Sequence, residues 1–288
     1  MGAPDASGRR CAVLGDPIFH SLSPVLHRAG YEALGLAWTY DAHRVPAGGL
    51  PAFLDGLSPD GLSLDGLDDS WRGLSLTMPL KREAVGLVDR LTDRARLAGA
   101  VNTIVIDGGV RLGDNTDLPG AVAAIREHTT TPLASATVLG GGATATSIGL
   151  ALIELGVTSV RLLVRDEARA AETSAALTAH PAAPAVIVAP LDADGVLAAD
   201  ILVSTIPAEA QTDVLVARCA RVPVVFEALY EPWPTPLARA VGDRVLVSGL
   251  DLLVHQAVLQ FELFTGQQAP LEAMRTAGRN ALAGRMPA

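Results

Sequence analysis

The chain has 288 residues, 49% of them hydrophobic but only 4% aromatic, so any core must be built mainly from Ala, Val, Leu and Ile. Its 22 basic and 31 acidic side chains give a formal charge of −9 with no Lys/Arg-rich run, which argues against nucleic acid or an anionic membrane surface as partner. No stretch reaches the ~18 apolar residues needed to span a bilayer, and the polar stretch 1–10 lacks the apolar centre of a signal peptide. Cys11 and Cys219 show no metal-ligand spacing and read as reduced, buried thiols of a cytoplasmic protein.

Cys11-Ala12-Val13-Leu14 reads as a strand closed by Gly15-Asp16-Pro17. Ser21-Leu22-Ser23-Pro24 then opens a helix over residues 25–34 that Gly35 stops. Ser23 before Pro24 has the pattern of a helix cap followed by the first turn, which gives Ser23 a purely structural reading; Ser21 has none. A strand is expected over 36–45, a helix over 50–57 and a surface loop over 58–70. The strand from Gly73 to Thr77 stops at Met78-Pro79, and helices are expected over 81–91 and from 92. The strand over 101–106 turns at Asp107-Gly108-Gly109 into residues 110–112, a hairpin signature. Asp114-Asn115-Thr116-Asp117 precedes a helix that runs to about residue 128.

Beyond residue 132 the pattern becomes a regular alternation of strand and helix. Strands fall near 136–140, 159–164, 185–189, 200–204, 223–227 and 244–247, and amphipathic helices over 252–264 and 271–282 follow the last of them. Such spacing argues a parallel sheet with right-handed crossovers. The glycine-dense turn Gly140-Gly141-Gly142-Ala143-Thr144-Ala145 lies between the first of these strands and its helix, and Gly140, Gly142 and Ala145 fit G-x-G-x-x-G/A. The first glycine permits a tight turn, the second lets the backbone approach a pyrophosphate, and the small third residue lets helix and strand pack closely. The helix start then points its N–H groups and positive dipole end at that pyrophosphate. The expected fold is therefore α/β in two domains. Residues 1–117 plus 252–288 form an N-terminal α/β substrate-binding domain, and residues 118–251 form a Rossmann-type dinucleotide-binding domain with a parallel sheet and a cleft between the two.

In such a unit the end of the second strand meets the adenosine ribose, where an arginine favours the 2′-phosphate of NADP and a carboxylate the 2′-OH of NAD. Here Arg165 is followed at once by Asp166, so the two signals compete. NADP is the expected cofactor, with NAD as the alternative; Arg165 could also stack its planar guanidinium on adenine. Hydride transfer to or from a carbinol also needs a group that gives or takes the hydroxyl proton. Lys81, just after a strand end, and Asp117, at the end of the first domain, are the candidates.

Gly15-Asp16-Pro17-Ile18-x-His20-Ser21-x-Ser23-Pro24, Leu76-Thr77-Met78-Pro79-Leu80-Lys81, Gly99-Ala100-Val101-Asn102-Thr103 and Gly113-Asp114-Asn115-Thr116-Asp117 occur in that order. Together with Ser204-Thr205-Ile206-Pro207, Tyr230, Thr235-Pro236 and Gly249-Leu250 through Gln256, they resemble the shikimate dehydrogenase family over residues 11–265. The resemblance implies a metal-free, reversible reduction of 3-dehydroshikimate by NADPH in aromatic amino-acid biosynthesis. It implies that Ser21 and Ser23, assisted by Tyr230, bind the substrate carboxylate. Thr77, Asn102, Asp117 and Gln256 then hold the ring hydroxyls, with Lys81 as the catalytic lysine. The glycine loop and Arg165 match the cofactor contacts, and Thr205, Ile206, Gly249 and Leu252 lie where the family surrounds the nicotinamide end.

Several positions depart from the family's commonest pattern. Ser75 stands for asparagine, Thr146 for a basic residue, Val164 and Asp166 for the asparagine and threonine around the arginine, and Asp251 for glycine. The substitutions at 164 and 166 keep open an NAD-linked quinate/shikimate dehydrogenase, while serine at both 21 and 23 favours shikimate. A third reading, a non-catalytic shikimate- or nucleotide-binding sensor, is opposed by the presence of Lys81 and Asp117. The expected partner is a small molecule, and the chain is expected as a monomer or homodimer.

Overall fold

The computed structural model describes residues 8–57 and 70–285, so the loop expected over 58–70 falls, apart from Ser70, outside the described residues. The chain divides into two compact units, one of Met1–Arg96, Ala100–Thr116 and Ala257–Ala288, the other of Leu97–Gly99 and Asp117–Gln256.

The first unit carries β1 (Arg10–Gly15), α1 (Ser23–Ala33), β2 (Thr39–Arg44), α2 (Leu50–Asp55), β3 (Trp71–Leu76), α3 (Leu80–Glu83), β4 (Arg90–Leu91), most of α4 (Asp93–Ala98), β5 (Thr103–Asp107) and β6 (Val110–Asp114). Its six strands are ordered β2-β1-β3-β5-β6-β4. The β3–β5 and β5–β6 pairs are antiparallel and the others parallel. β1 is apolar and buried from Cys11 to Leu14, as a central strand covered on both faces requires, whereas the edge strand β2 alternates. Leu14, Leu74, Leu76, Leu80 and Ile104 meet in one core cluster.

The helix expected over 81–91 is not formed at that length. α3 ends after Glu83, one 3₁₀ turn follows, and Arg90–Leu91 joins β6 as an edge strand. Tertiary pairing outweighs helix propensity here. The Arg111 amide donates to the Asp89 carboxylate at 2.7 Å, and the Thr92 amide donates to the Gly113 carbonyl at 3.0 Å. Glu83 turns away to accept from the amides of Gly48 (2.9 Å) and Leu50 (3.1 Å) at the start of α2.

The second unit runs α5 (Asp117–His128), β7 (Ser135–Leu139), α6 (Ala143–Glu154), β8 (Ser159–Val164), α7 (Glu167–Thr178), β9 (Ala185–Pro190), β10 (Ile201–Ser204), α8 (Asp213–Arg218), β11 (Val224–Glu227), α9 (Pro236–Arg239) and β12 (Val245–Ser248). All six strands are parallel in the order β12-β11-β10-β7-β8-β9. The winding reverses between β7 and β10, the place where an open α/β sheet offers a ligand crevice at its carboxyl ends.

α10 (Gly249–Thr265) begins in this unit, and from Ala257 its residues belong to the first, together with α11 (Leu271–Ala283). There Phe264 packs on β3, so close that a Cβ on Gly73 would stand 2.1 Å from its ring. Phe261 likewise presses on Gly30 of α1, where a Cβ would stand 2.7 Å from it. Among the described residues, no helix is long and apolar enough to cross a membrane.

Candidate active site

In the first unit the candidate substrate groups sit at the carboxyl ends of β1 and β3 and around the turn before α5. Gly15 closes β1 against the next segment; a Cβ there would lie 2.3 Å from Thr77 Cγ2 and 2.8 Å from the Met78 carbonyl. The Thr77 amide donates to the Leu14 carbonyl at 2.9 Å and its own carbonyl accepts from Leu80, which starts the short helix carrying Lys81. The Lys81 carbonyl accepts from the Val101 amide at 2.7 Å, so Lys81 and Asn102 are brought to one place.

Ser23 does not cap α1. It is already the first helical residue and is buried, Leu22 is the cap without a side-chain bond, and the Ser23 amide donates to Ser21 Oγ at 3.3 Å. The cap expected at Ser23 is not made because the helix begins one residue earlier than the Ser23-Pro24 pattern implies, which puts Ser23 inside its first turn and Leu22 at the cap position.

Asn102 is buried in a polar network. Its Nδ2 donates to Thr116 Oγ1 at 2.9 Å, and its Oδ1 accepts from the Thr116 amide at 2.7 Å and from Thr103 Oγ1 at 2.8 Å. The network runs on through Gln260 of α10. Gln260 Nε2 donates to Thr103 Oγ1 (2.9 Å) and to the Asn102 carbonyl (3.1 Å), while its Oε1 accepts from Ser75 Oγ (2.7 Å). Tyr40 donates to Ser75 in turn at 2.5 Å, and His27 stacks on Tyr40 with ring centres 4.1 Å apart. Ser75, unexplained by sequence, is thus the link between β2, β3 and α10.

Asp114 is buried against Arg94, which donates to it from Nε and Nη2, and Thr92 donates to it at 2.6 Å. Burial works to raise its carboxyl, but these donors hold it below the ordinary carboxylate range. Asp117 and Gln256, both buried, fall in the second unit, where Gln256 Nε2 donates to the Leu253 carbonyl at 2.9 Å.

The glycine loop of the second unit is shaped for close approach. Gly140 has φ +109°, in the region that favours glycine, and a Cβ would stand 2.3 Å from Thr205 Oγ1. Thr205 Oγ1 donates to the Leu139 carbonyl at 2.9 Å, which ties the loops after β7 and β10. Gly141 lies against α7, where a Cβ would meet Ala170 at 2.9 Å. A Cβ on Gly142 would meet nothing within 4 Å, so glycine there leaves room in front of α6 instead of relieving a protein contact. No side chain caps α6. An open glycine before an uncapped helix start fits a dinucleotide pyrophosphate.

Thr146 is buried and donates to or accepts from Thr173 Oγ1 at 2.7 Å, while Thr173 donates to the Gly141 carbonyl at 2.8 Å. It fastens the loop to α7 and presents no phosphate contact. Exposed Arg165 lines a cavity of about 440 Å³ with Val164, Leu191, Asp192, Thr212 and Val214, and Asp166 caps α7 by accepting from the Ala168 amide at 3.0 Å.

Sequence reasoning missed two further supports. Asp251 forms a capping box with Ser248. Its carboxylate accepts from the Ser248 amide (2.9 Å) and hydroxyl (2.7 Å), the Asp251 amide donates to Ser248 Oγ (3.2 Å), and His128 approaches the same carboxylate at 3.1 Å. The S-x-x-D spacing was readable. Glu227, buried at the end of β11, accepts from Gln211, Thr235 and the Leu229 amide; a lone acid closing an apolar strand was its one signal.

The family model described as the shikimate dehydrogenase substrate binding domain matches residues 13–104, and that of the shikimate 5′-dehydrogenase C-terminal domain matches residues 249–277. A shikimate dehydrogenase (NADP(+)) of Desulfitobacterium hafniense is 34% identical over 94% of this chain and 98% of its own length. The chain belongs to the shikimate dehydrogenase family. The crystal structure of Mycobacterium tuberculosis shikimate dehydrogenase is 40% identical and has a TM-score of 0.83, covering 94% of this chain and 99% of its own. A shikimate 5-dehydrogenase from Thermus thermophilus, solved with NADP(H) and shikimate, is 29% identical with a TM-score of 0.81, covering 95% and 99%. Within the shikimate dehydrogenase family, the unusual residues at 75, 146, 166 and 251 thus have structural work of their own in this chain; the structure gives no account of Val164.

Proposed function

We propose that the chain catalyses the reversible NADPH-dependent reduction of 3-dehydroshikimate to shikimate. The observation that carries this reading is the open glycine turn before an uncapped helix, in a chain whose substrate motifs all fall in the family's order. Bound NADPH supplies the hydride to the carbonyl carbon. Lys81 gives the proton to the carbonyl oxygen, and Asp117 accepts from a substrate hydroxyl. Ser21, Ser23 and Tyr230 bind the substrate carboxylate, and Thr77, Asn102 and Gln256 its hydroxyls. Asn102 suits that role because its amide is fixed by Thr103 and Thr116 before substrate arrives, which removes an ordering cost. Residues 1–117 with 252–288 form the substrate half of this reading and residues 118–251 the cofactor half. In the cofactor half, Gly140 to Ala145 take the pyrophosphate, Arg165 the 2′-phosphate, and Thr205, Ile206, Gly249 and Leu252 the nicotinamide end.

Capping of α7 by Asp166 favours NADP over NAD, since a carboxylate committed to the Ala168 amide is less available to a ribose hydroxyl. Steady-state rates with shikimate and quinate, each with NADP and NAD, test the reading. Shikimate with NADP is expected to give the highest kcat/KM; a preference for quinate with NAD overturns it.

A further inference from the structure

Glu227 is fully buried, carries a charge-bearing group and has no part in the chemistry described above. The groups that face its carboxylate are donors, the Ser204 hydroxyl among them. Oε1 accepts from the Leu229 amide at 3.1 Å, and Oε2 accepts from Gln211 Nε2 at 2.7 Å and from Thr235 Oγ1 at 2.9 Å. Burial raises the carboxyl and these donors oppose it.

Three separated segments meet at this group. Gln211 also donates to Ser204 Oγ at 3.2 Å and accepts from the Leu237 amide at 3.0 Å, which fixes the turn carrying Thr205 and Ile206. Ala228 donates to the Ser204 carbonyl at 2.9 Å, so the segment after β11 is laid against that turn. The Ala228–Leu229 backbone lies on Gly249, where a Cβ would stand 2.4 Å from the Ala228 carbonyl oxygen and 2.6 Å from the Leu229 carbonyl carbon. Thr235 completes the set, capping α9 by accepting from the Ala238 amide while it donates to Glu227.

From this convergence we infer that Glu227 is a positioning residue for the nicotinamide end of the cofactor. Its carboxylate sets the spacing between the Thr205-Ile206 turn and the Gly249 backbone without touching the ligand. The inference rests on the proposed function, which places the nicotinamide between those walls. Arg165 itself stands at the end of β8, outside the three segments that Glu227 joins, although Thr212 of its cavity adjoins Gln211.

Glu227→Gln keeps the shape but places an NH₂ donor against a donor whichever way the amide turns. Leaving one buried donor unpaired weakens what it holds by about tenfold. In calorimetric titration of the full chain, Glu227→Gln is expected to bind NADP⁺ about tenfold more weakly and adenosine 2′,5′-bisphosphate, which lacks the nicotinamide half, as wild type does. The double variant Glu227→Gln/Gln211→Glu, which reverses the polarity across that pair but leaves the Thr235 hydroxyl facing the new NH₂, is expected to recover part of the NADP⁺ binding. The milder Thr235→Val, which removes one donor, is expected to show the same split with a smaller loss. Equal weakening of both ligands, or of neither, overturns the inference, as does failure of the double variant to recover. Ile206→Ala separates the two levels. If it leaves NADP⁺ binding unchanged, the placement of the nicotinamide end is wrong; if it weakens binding while Glu227→Gln does not, only the role of Glu227 falls.

Discussion

The two units prepare their candidate sites in opposite ways. In the first, side chains hold side chains: Asn102 is fixed by Thr103 and Thr116, and Gln260 and Ser75 hold the next layer. In the second, the candidate cofactor surface is largely backbone, packed close at Gly140, Gly141 and Gly249 and left open at Gly142, with hydrogen-bonding side chains placed behind it. A polyol needs directional partners at each hydroxyl, which only side chains supply in variety. A pyrophosphate needs many weak donors and close approach, which glycine backbone supplies.

The sharpest test of this contrast is chemical. Lys81→Ala is expected to lower kcat by about 10²–10⁴-fold with little change in KM, the scale of a lost proton donor. A large rise in KM at intact kcat in steady-state assays would make Lys81 a binding residue only. The next effects are steric and fall on each unit separately. Gly73→Ala pushes a Cβ into the Phe264 ring and is expected to cost ~1–3 kcal/mol of stability by denaturant unfolding. Gly140→Ala should cost a similar ~1–3 kcal/mol through its positive φ and the Thr205 contact, and should also weaken NADP⁺ binding, which Gly73→Ala should leave alone. Loss of NADP⁺ affinity in both would break the distinction.

The two units also differ in their response to acid. Burial pushes His27 down to about 3, against the opposing pull of the neighbouring Gln260. The unfolded chain therefore takes up a proton that the folded chain refuses as pH falls from about 6.5 towards 3. This stabilising contribution is complete above that window and is lost through it, by at most ~1.4 kcal/mol per pH unit. Glu227 acts with the opposite sign: its raised carboxyl favours the folded state more as pH drops. His27→Phe should flatten the acid limb of a stability–pH profile, and an unchanged slope would remove His27 as its source. The smallest effect is expected from Asp251→Ala, about 1 kcal/mol for one arm of a capping box, read from the thermal midpoint.

Legibility followed the range of the interactions. The alternation of strands and helices from 135 to 248 is local and periodic, so it could be read directly, as could the glycine spacing that shapes the loop. The helix expected over 81–91 failed because Arg90 and Leu91 gain more from pairing with β6, which no local pattern announces. Ser75 and Gln260, or Glu227 and Gln211, are partners only once the sheets are assembled. Asp251 is the exception, since its cap lies three residues away and was visible in the chain.

The contact between Gly73 and Phe264 carries a consequence for sequence history. Because the ring occupies the volume of the missing methyl group, neither position is free to drift alone. Among relatives a larger residue at the first site should be found only beside a smaller one at the second. The pair should thus behave as a single inherited character, although most of the chain lies between its members.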